Sequence, residues 1–178
     1  YYYNSLVINY STLNQEKALE VLNTAKNNRI IQSLPTFGAF IYLNMGLIYY
    51  GQKKYKIAIK HFSRLILQKD FLDLSLQFQL KILISEIIIR YELTQIDVVE
   101  EKIKTIKRKY RATINKNERE KNIIEIIEKL IYCNNIKADK GLISRINSLI
   151  TRTSLEDAQN IDVINYNDWL KKKLQGII

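Results

Sequence analysis

The sequence predicts an all-α protein built from short antiparallel helices, and three observations carry that prediction. Only 5 Gly and 1 Pro occur among 178 residues, whereas all-β folds need a turn about every eight to twelve residues. Apolar residues make up 47% of the chain, too many for a disordered segment, and they recur at helical spacing almost throughout. A single Cys excludes a disulfide framework. The length suits one domain or one short repeat array, with no internal domain boundary legible. Lys and Glu interrupt every long apolar stretch, so no run approaches the roughly 18 residues of a membrane helix. The chain opens on Tyr1 rather than Met, which reads as part of a longer protein. The expected compartment is the cytoplasm, and a targeting segment upstream of Tyr1 stays open.

The elements follow in order. Val7, Tyr10 and Leu13 begin an apolar stripe, and Ala18, Leu22 and Ala25 continue it on a second helix after a turn near Asn14. Pro35 lacks an amide donor and biases its predecessor away from helix, so one helix should stop there and another begin soon after. Ala39 to Tyr50 is again helical, closed by Gly51, a residue suited to a helix C-terminus. Lys54 to Leu67 forms the return helix. Asp70 to about Tyr91 reads as one long helix, with Asp70 and Asp73 favouring the amide end of its dipole. Thr94-Gln95-Ile96-Asp97 has capping-box spacing before a helix carrying Val98, Val99, Ile103, Ile106 and Tyr110. Asn117 and Glu120 stand in a similar relation before Ile123 to Ile131, and Asn134-Asn135 breaks that helix. Leu142 to Ile150 and a short tail helix around Trp169 complete about seven to nine helices joined by short turns.

The segment from Ala39 to about Phe71 resembles a tetratricopeptide (TPR) repeat. Its ordered positions fall on Tyr42, Met45-Gly46, Tyr49, Ala58 and Phe62, with Tyr55 between the helices. Small residues at 46 and 58 let two helices approach, and the aromatics fill the space between them and a neighbour. The turn glycine is displaced to Gly51, and Asp70 stands where Pro often closes the repeat. A weaker copy lies on residues 1–32, where Ala18, Leu22 and Ala25 match the second helix but Leu6 replaces the glycine. Beyond residue 72 the resemblance fades into an irregular helical continuation (73–153) and a tail (154–178). The resemblance implies a right-handed α-solenoid of antiparallel helix pairs. It also implies a concave groove lined by the first helix of each pair.

Those groove positions fall on Phe40, Leu43, Leu47 and Tyr50, with Tyr3, Val7 and Tyr10 in the weaker copy. The family's best-known chaperone-binding members hold a terminal carboxylate there with Lys and Asn. Those residues are absent here. An apolar groove implies an amphipathic helix or extended peptide of a protein partner, anchored by aromatic side chains.

The chain carries 28 Lys+Arg against 18 Asp+Glu, a net +10. Lys53, Lys56, Lys60 and Arg64 recur at helical spacing opposite Tyr55, Ala58, Ile59 and Phe62, and Lys104, Lys107, Arg108, Lys109 and Arg111 crowd about two turns around Tyr110. Such stripes suit RNA or DNA phosphates, which makes a basic nucleic-acid module the alternative function. Glu100, Glu101, Glu118 and Glu120 flank the second stripe. Ile, Lys and Asn are abundant together as in AT-rich coding, so part of the charge follows from nucleotide composition.

In the tail, Asn165 or Asn167 can cap a helix with Tyr166, Trp169, Leu170, Leu174 and Ile177 on one side and Lys171–Lys173 opposite. Such a helix either covers the last repeat, placing Trp169 in the core, or lies on an anionic membrane or enters a partner groove. His61 is the sole histidine and reads as a surface or half-buried helix residue, and Cys133 as a buried small hydrophobe. With no Gly-rich phosphate loop and no metal-ligand spacing, no enzyme, cofactor or metal is expected.

Overall fold

The computed structural model describes residues 11–34, 37–151 and 162–176, and among these only helices, turns and bends occur. Tyr3, Leu6, Val7, Tyr10, Pro35 and Ile177 lie outside the described residues. The all-α prediction holds. Two compact units divide the chain, Tyr1–Ser75 and Leu76–Ile178.

In the first unit α1 spans Gln15–Asn27, started by Asn14, whose side chain accepts from the Lys17 amide. Ala18, Leu22 and Ala25 are its buried face, as their spacing predicts. Leu13, placed on the same stripe by its spacing, is exposed. A short α2, Arg29–Gln32, leads to α3, Phe37–Gly51, which packs Ile41, Met45 and Ile48 against the buried residues of α1 and Ile31 of α2. The return helix α4, Tyr55–Ile66, buries Ala58, His61, Phe62 and Leu65. Gly46 is what lets α3 and α4 meet: a Cβ there would lie 2.7 Å from two ring atoms of Phe62.

Asp70 to Tyr91 is not one helix. A short α5, Lys69–Leu72, ends on Asp73, and α6 starts anew, spanning Leu76–Glu92. Asp70 sits in the first turn of α5, but Asp73 is its C-cap, so that carboxylate is at the opposite end from the one its spacing suggests.

The second unit begins with α6, in which the ten residues Gln79–Ile82 and Ile84–Ile89 are all buried. It pairs with α7, Ile96–Lys109, whose inner face is Val99, Ile103 and Ile106. Next come α8 (Arg111–Lys116), α9 (Glu118–Leu130), a 3-10 turn (Ile136–Ala138), α10 (Lys140–Thr151) and α11 (Tyr166–Gln175).

The hairpin α3–α4 and the hairpin α6–α7 share one turn. Lys54 N–H donates to the Tyr49 carbonyl and Lys53 N–H to Tyr50, and Gln95 N–H donates to Arg90 and Thr94 N–H to Tyr91. This is the Schellman pattern, with a left-handed residue just past the helix. That residue is Lys53 (φ 57°) in one and Thr94 (φ 55°) in the other, so Gly51 is merely the last residue of α3 and does not make the turn. From the turn onward the registers agree. Ala58, Phe62 and Leu65 occupy the same offsets from Lys53 as Val99, Ile103 and Ile106 do from Thr94, and all six are buried.

Neither predicted capping box forms. Thr94 belongs to the closing turn of α6, and Gln95, the residue before α7, makes no side-chain cap. Asn117 precedes α9 without capping it, because its amide donates to the Thr113 carbonyl and its oxygen accepts from Gln77.

Candidate functional site

α3 is apolar on every side, and the structure assigns each side differently. Ile41, Met45 and Ile48 face α1. Tyr42 and Tyr49 face α4, where their rings lie 6.2 Å and 5.4 Å from the imidazole of His61, Tyr49 stacked on it at 14°. The remaining side carries the four predicted groove residues. Phe40, Leu43, Leu47 and Tyr50 are all half-buried. Phe40 packs on the α1–α3 core and against the Phe37 ring at 5.9 Å, and Tyr50 lies against Tyr55 at 5.6 Å. Leu43 and Leu47 occupy the middle of this side, one turn apart.

His61 is buried rather than half-exposed, at 8% relative exposure. Its Nδ1 has no hydrogen-bond partner among the described residues. Burial, then the positive charges of Lys26 and Arg64, push its pKa down to about 4, so the ring is neutral at physiological pH. An imidazole placed this way packs between two tyrosines.

The outer face of α4 carries the first basic stripe. Lys53, Lys56, Lys60 and Arg64 are all exposed, as the helical spacing predicts. Their setting shows what the periodicity alone did not: from Val21 to Lys69 the sequence contains no Asp or Glu, while Lys26, Arg29, Lys53, Lys54, Lys56, Lys60, Arg64 and Lys69 all lie in that interval. Helical i,i+4 ion pairing is therefore unavailable along α4.

The second stripe is different. Lys104 pairs with Glu100 at 2.8 Å, and Lys107 with Glu128 at 2.6 Å. Tyr110, which the spacing placed among these cations, is buried at 3% exposure and donates its hydroxyl to Gln79 at 2.7 Å. Arg108, Lys109 and Arg111 remain exposed, with the Lys109 ammonium 5.5 Å from the Tyr110 ring. Two of the five cations of this stripe thus have carboxylate partners, and its aromatic residue is buried.

Buried charge in the second unit lies where the apolar pattern gave no sign of it. Lys81 and Glu120 are both inaccessible, with Nζ 3.6 Å from Oε1. Burial raises the Glu120 pKa despite the opposing charge of Lys81. Glu86 pairs with Arg90 and Lys102, each at 2.8 Å. Arg119 makes a two-pronged contact with Asp162 at 2.9 and 2.6 Å and lies over the Tyr166 ring.

The tail helix α11 is built on the same principle. Asn165 caps it by accepting from the Asp168 amide, and Tyr166, Trp169 and Leu170 are buried. Trp169 is core. Its indole N–H donates to Glu92 at 2.6 Å, and its ring meets Tyr91 edge-on. Lys171 and Lys172 are exposed, but Lys173 is turned inward onto Glu92 at 2.6 Å and so leaves the polar face expected for it.

Beside that contact is a pocket of about 500 Å³ lined in part by Tyr91, Glu92, Ile96, Cys133 and Lys173. Cys133 is half-buried there rather than fully buried. The Glu92 carboxylate and the Lys173 ammonium already satisfy one another. Among the described residues no group of three His, Cys, Asp or Glu side chains can hold a metal ion. No helix among them is long and apolar enough to cross a membrane.

No family model matches this chain, and neither a curated protein nor a solved structure does.

Proposed function

We propose that the chain is a non-enzymatic protein-interaction module of TPR-like helical hairpins arranged as an α-solenoid. Phe40, Leu43, Leu47 and Tyr50 of α3 contact a peptide or helix of a protein partner. The observation that carries this reading is the third apolar side of α3. Two sides of the helix are used by α1 and α4, where Phe40 and Tyr50 also find neighbours, and Leu43 and Leu47 stand half-buried on the remaining side. Half-buried aromatic and leucine side chains suit a partner's apolar anchors. The matching turns and registers of α3–α4 and α6–α7 support the repeat reading beyond residue 72, where the sequence pattern fades.

The test uses the full chain as bait in a lysate of its source organism, with and without nuclease. A photo-crosslinking residue at Leu43 identifies what touches α3. The expected result is one protein, crosslinked and retained after nuclease treatment, and lost with Leu47→Lys while circular dichroism and melting stay unchanged. If Leu47→Lys melts the first unit, those side chains are core and the reading fails. Retention that vanishes with nuclease transfers the function to RNA or DNA.

A further inference from the structure

We propose that the exposed face of α4 docks an acidic amphipathic helix of the partner protein. The inference rests on the reading of the chain as a protein-interaction module and names the chemistry of the partner. Lys56, Lys60 and Arg64 recur at intervals of four, so they form one ridge along a helix of 12 residues, with Lys53 in the turn just before it. That helix is about 18 Å long, which matches three turns of a helix laid beside it. Two large apolar residues share the ridge: Ile57 is 39% exposed and Leu67 is 83% exposed.

No carboxylate lies in the sequence between Glu20 and Asp70, and the ion pairs among the described residues include none to Lys56, Lys60 or Arg64. The second unit is the contrast, since Lys102, Lys104, Lys107 and Arg145 each hold a glutamate. Lys56, Lys60 and Arg64, without an ion-pair partner among the described residues, attract a complementary row of carboxylates, which sets orientation and speeds encounter more than it adds affinity. The apolar members of the ridge decide between the two anionic partners. Ile57 and Leu67 gain from apolar side chains carried between the acids of an amphipathic helix. A phosphate backbone offers them nothing, Tyr42 and Tyr49 are engaged with His61 on the inner side, and Tyr55 lies against Tyr50.

The experiment measures binding of three fluorescent probes to the full chain by anisotropy at low and physiological salt. The first is a 16-residue peptide with Glu along one helical face and Leu at its edges. The second replaces each Leu by Ser, and the third is a single-stranded oligouridylate of equal charge. The Glu/Leu peptide is expected to bind at least fivefold tighter than the other two. Lys56→Glu with Lys60→Glu should weaken it at least tenfold, and Ile57→Ser with Leu67→Ser should weaken it several-fold while leaving the oligonucleotide unchanged. All four positions are exposed or flank the helix, so melting should not move.

Equal or tighter binding of the oligonucleotide overturns the inference in favour of nucleic acid. Binding of none of the probes, or binding that survives the charge reversal, overturns it outright. The module reading fails separately: protein capture that survives Lys56→Glu/Lys60→Glu but is lost with Leu47→Lys sinks the acidic helix and leaves the α3 surface standing.

Discussion

Lys53 and Thr94 occupy the same place in two helix hairpins, each holding a left-handed backbone conformation one residue past the helix cap. Neither is glycine. A non-glycine residue in this region costs about 1–2 kcal/mol, and a β-branched one is the less tolerated. The two pairs of backbone hydrogen bonds, 2.9 and 2.9 Å at Lys53–Lys54 and 2.9 and 3.0 Å at Thr94–Gln95, hold the conformation in place. Glycine would adopt it without the steric cost but loses about 0.5–1 kcal/mol in chain entropy. Thr94→Gly should therefore stabilise the protein by about 0.5–1 kcal/mol and Lys53→Gly by less, read as shifts of the urea midpoint. Destabilisation by Thr94→Gly would mean that its side chain, whose hydroxyl donates to the Leu93 carbonyl at 2.7 Å, contributes more than the strain removes.

His61 makes the stability of the first unit depend on pH. In the folded chain its pKa is lowered to about 4 from 6.5, by burial first and by Lys26 and Arg64 after that. Below pH 6.5 the unfolded chain takes up a proton that the folded chain refuses until about pH 4. Stability should thus fall as pH drops from 6.5 to 4 and level off, on this account, below that. The full shift corresponds to up to about 3 kcal/mol. Glu120 runs the other way, since its raised pKa favours the folded state as pH falls. Comparing wild type with His61→Gln isolates the histidine: the difference between their urea midpoints should change across pH 4–6.5. Parallel pH profiles would show that the ring is solvated in solution.

Much of the first hairpin was legible, because its signals are local. The spacing of Ile41, Met45 and Ile48 and the pairing of Gly46 with Ala58 and Phe62 lie within one helical repeat, where periodicity and residue size are informative. The break between α5 and α6 was not legible. Apolar residues Phe71, Leu74 and Phe78 continue in helical register across it, and neither Gly nor Pro marks it; only Asp73, Ser75 and Gln77 interrupt the run. Hidden with it was the second hairpin, whose turn residue Thr94 mimics an N-cap in sequence.

The TPR resemblance put the four groove residues on α3, where all four are half-buried. Their half-burial depends on neighbours that spacing does not reveal. The same limit explains Tyr110, His61 and Lys173, each drawn inward by a partner, such as Gln79, Tyr49 or Glu92, from another helix.

Lys81 and Glu120 illustrate that limit energetically. Two charges have been taken out of water with their ammonium and carboxylate 3.6 Å apart, an arrangement whose desolvation cost rivals its attraction. Removing one partner leaves the other charge buried without its counter-ion, so Lys81→Met or Glu120→Met alone should cost about 3–5 kcal/mol. The double replacement should recover most of that loss, or exceed the wild type, by filling the site with apolar volume. Chemical denaturation of the four proteins closes the cycle. Additive losses would show that the two side chains are not coupled and that each is held by other groups.

The close approach of α3 to α4 can be tested where helix propensity and packing oppose one another. Glycine inside a helix is about 1 kcal/mol worse than alanine, so Gly46→Ala should be favourable on propensity alone. Its new Cβ, however, would fall 2.7 Å from Cδ2 and Cε2 of Phe62, a ring with no exposed surface to move into. Overpacking of that kind costs about 1–3 kcal/mol, and more when the obstructing group cannot turn away. Gly46→Ala should therefore destabilise the first unit by about 1–2 kcal/mol net. Phe62→Leu alone also destabilises, by leaving a cavity. Combined, the two should cost less than their sum, because the smaller side chain makes room for the methyl and the methyl fills part of the void. A Gly46→Ala protein as stable as wild type would mean that the helices separate by a few tenths of an ångström at little cost, and that residue 46 does not set their spacing.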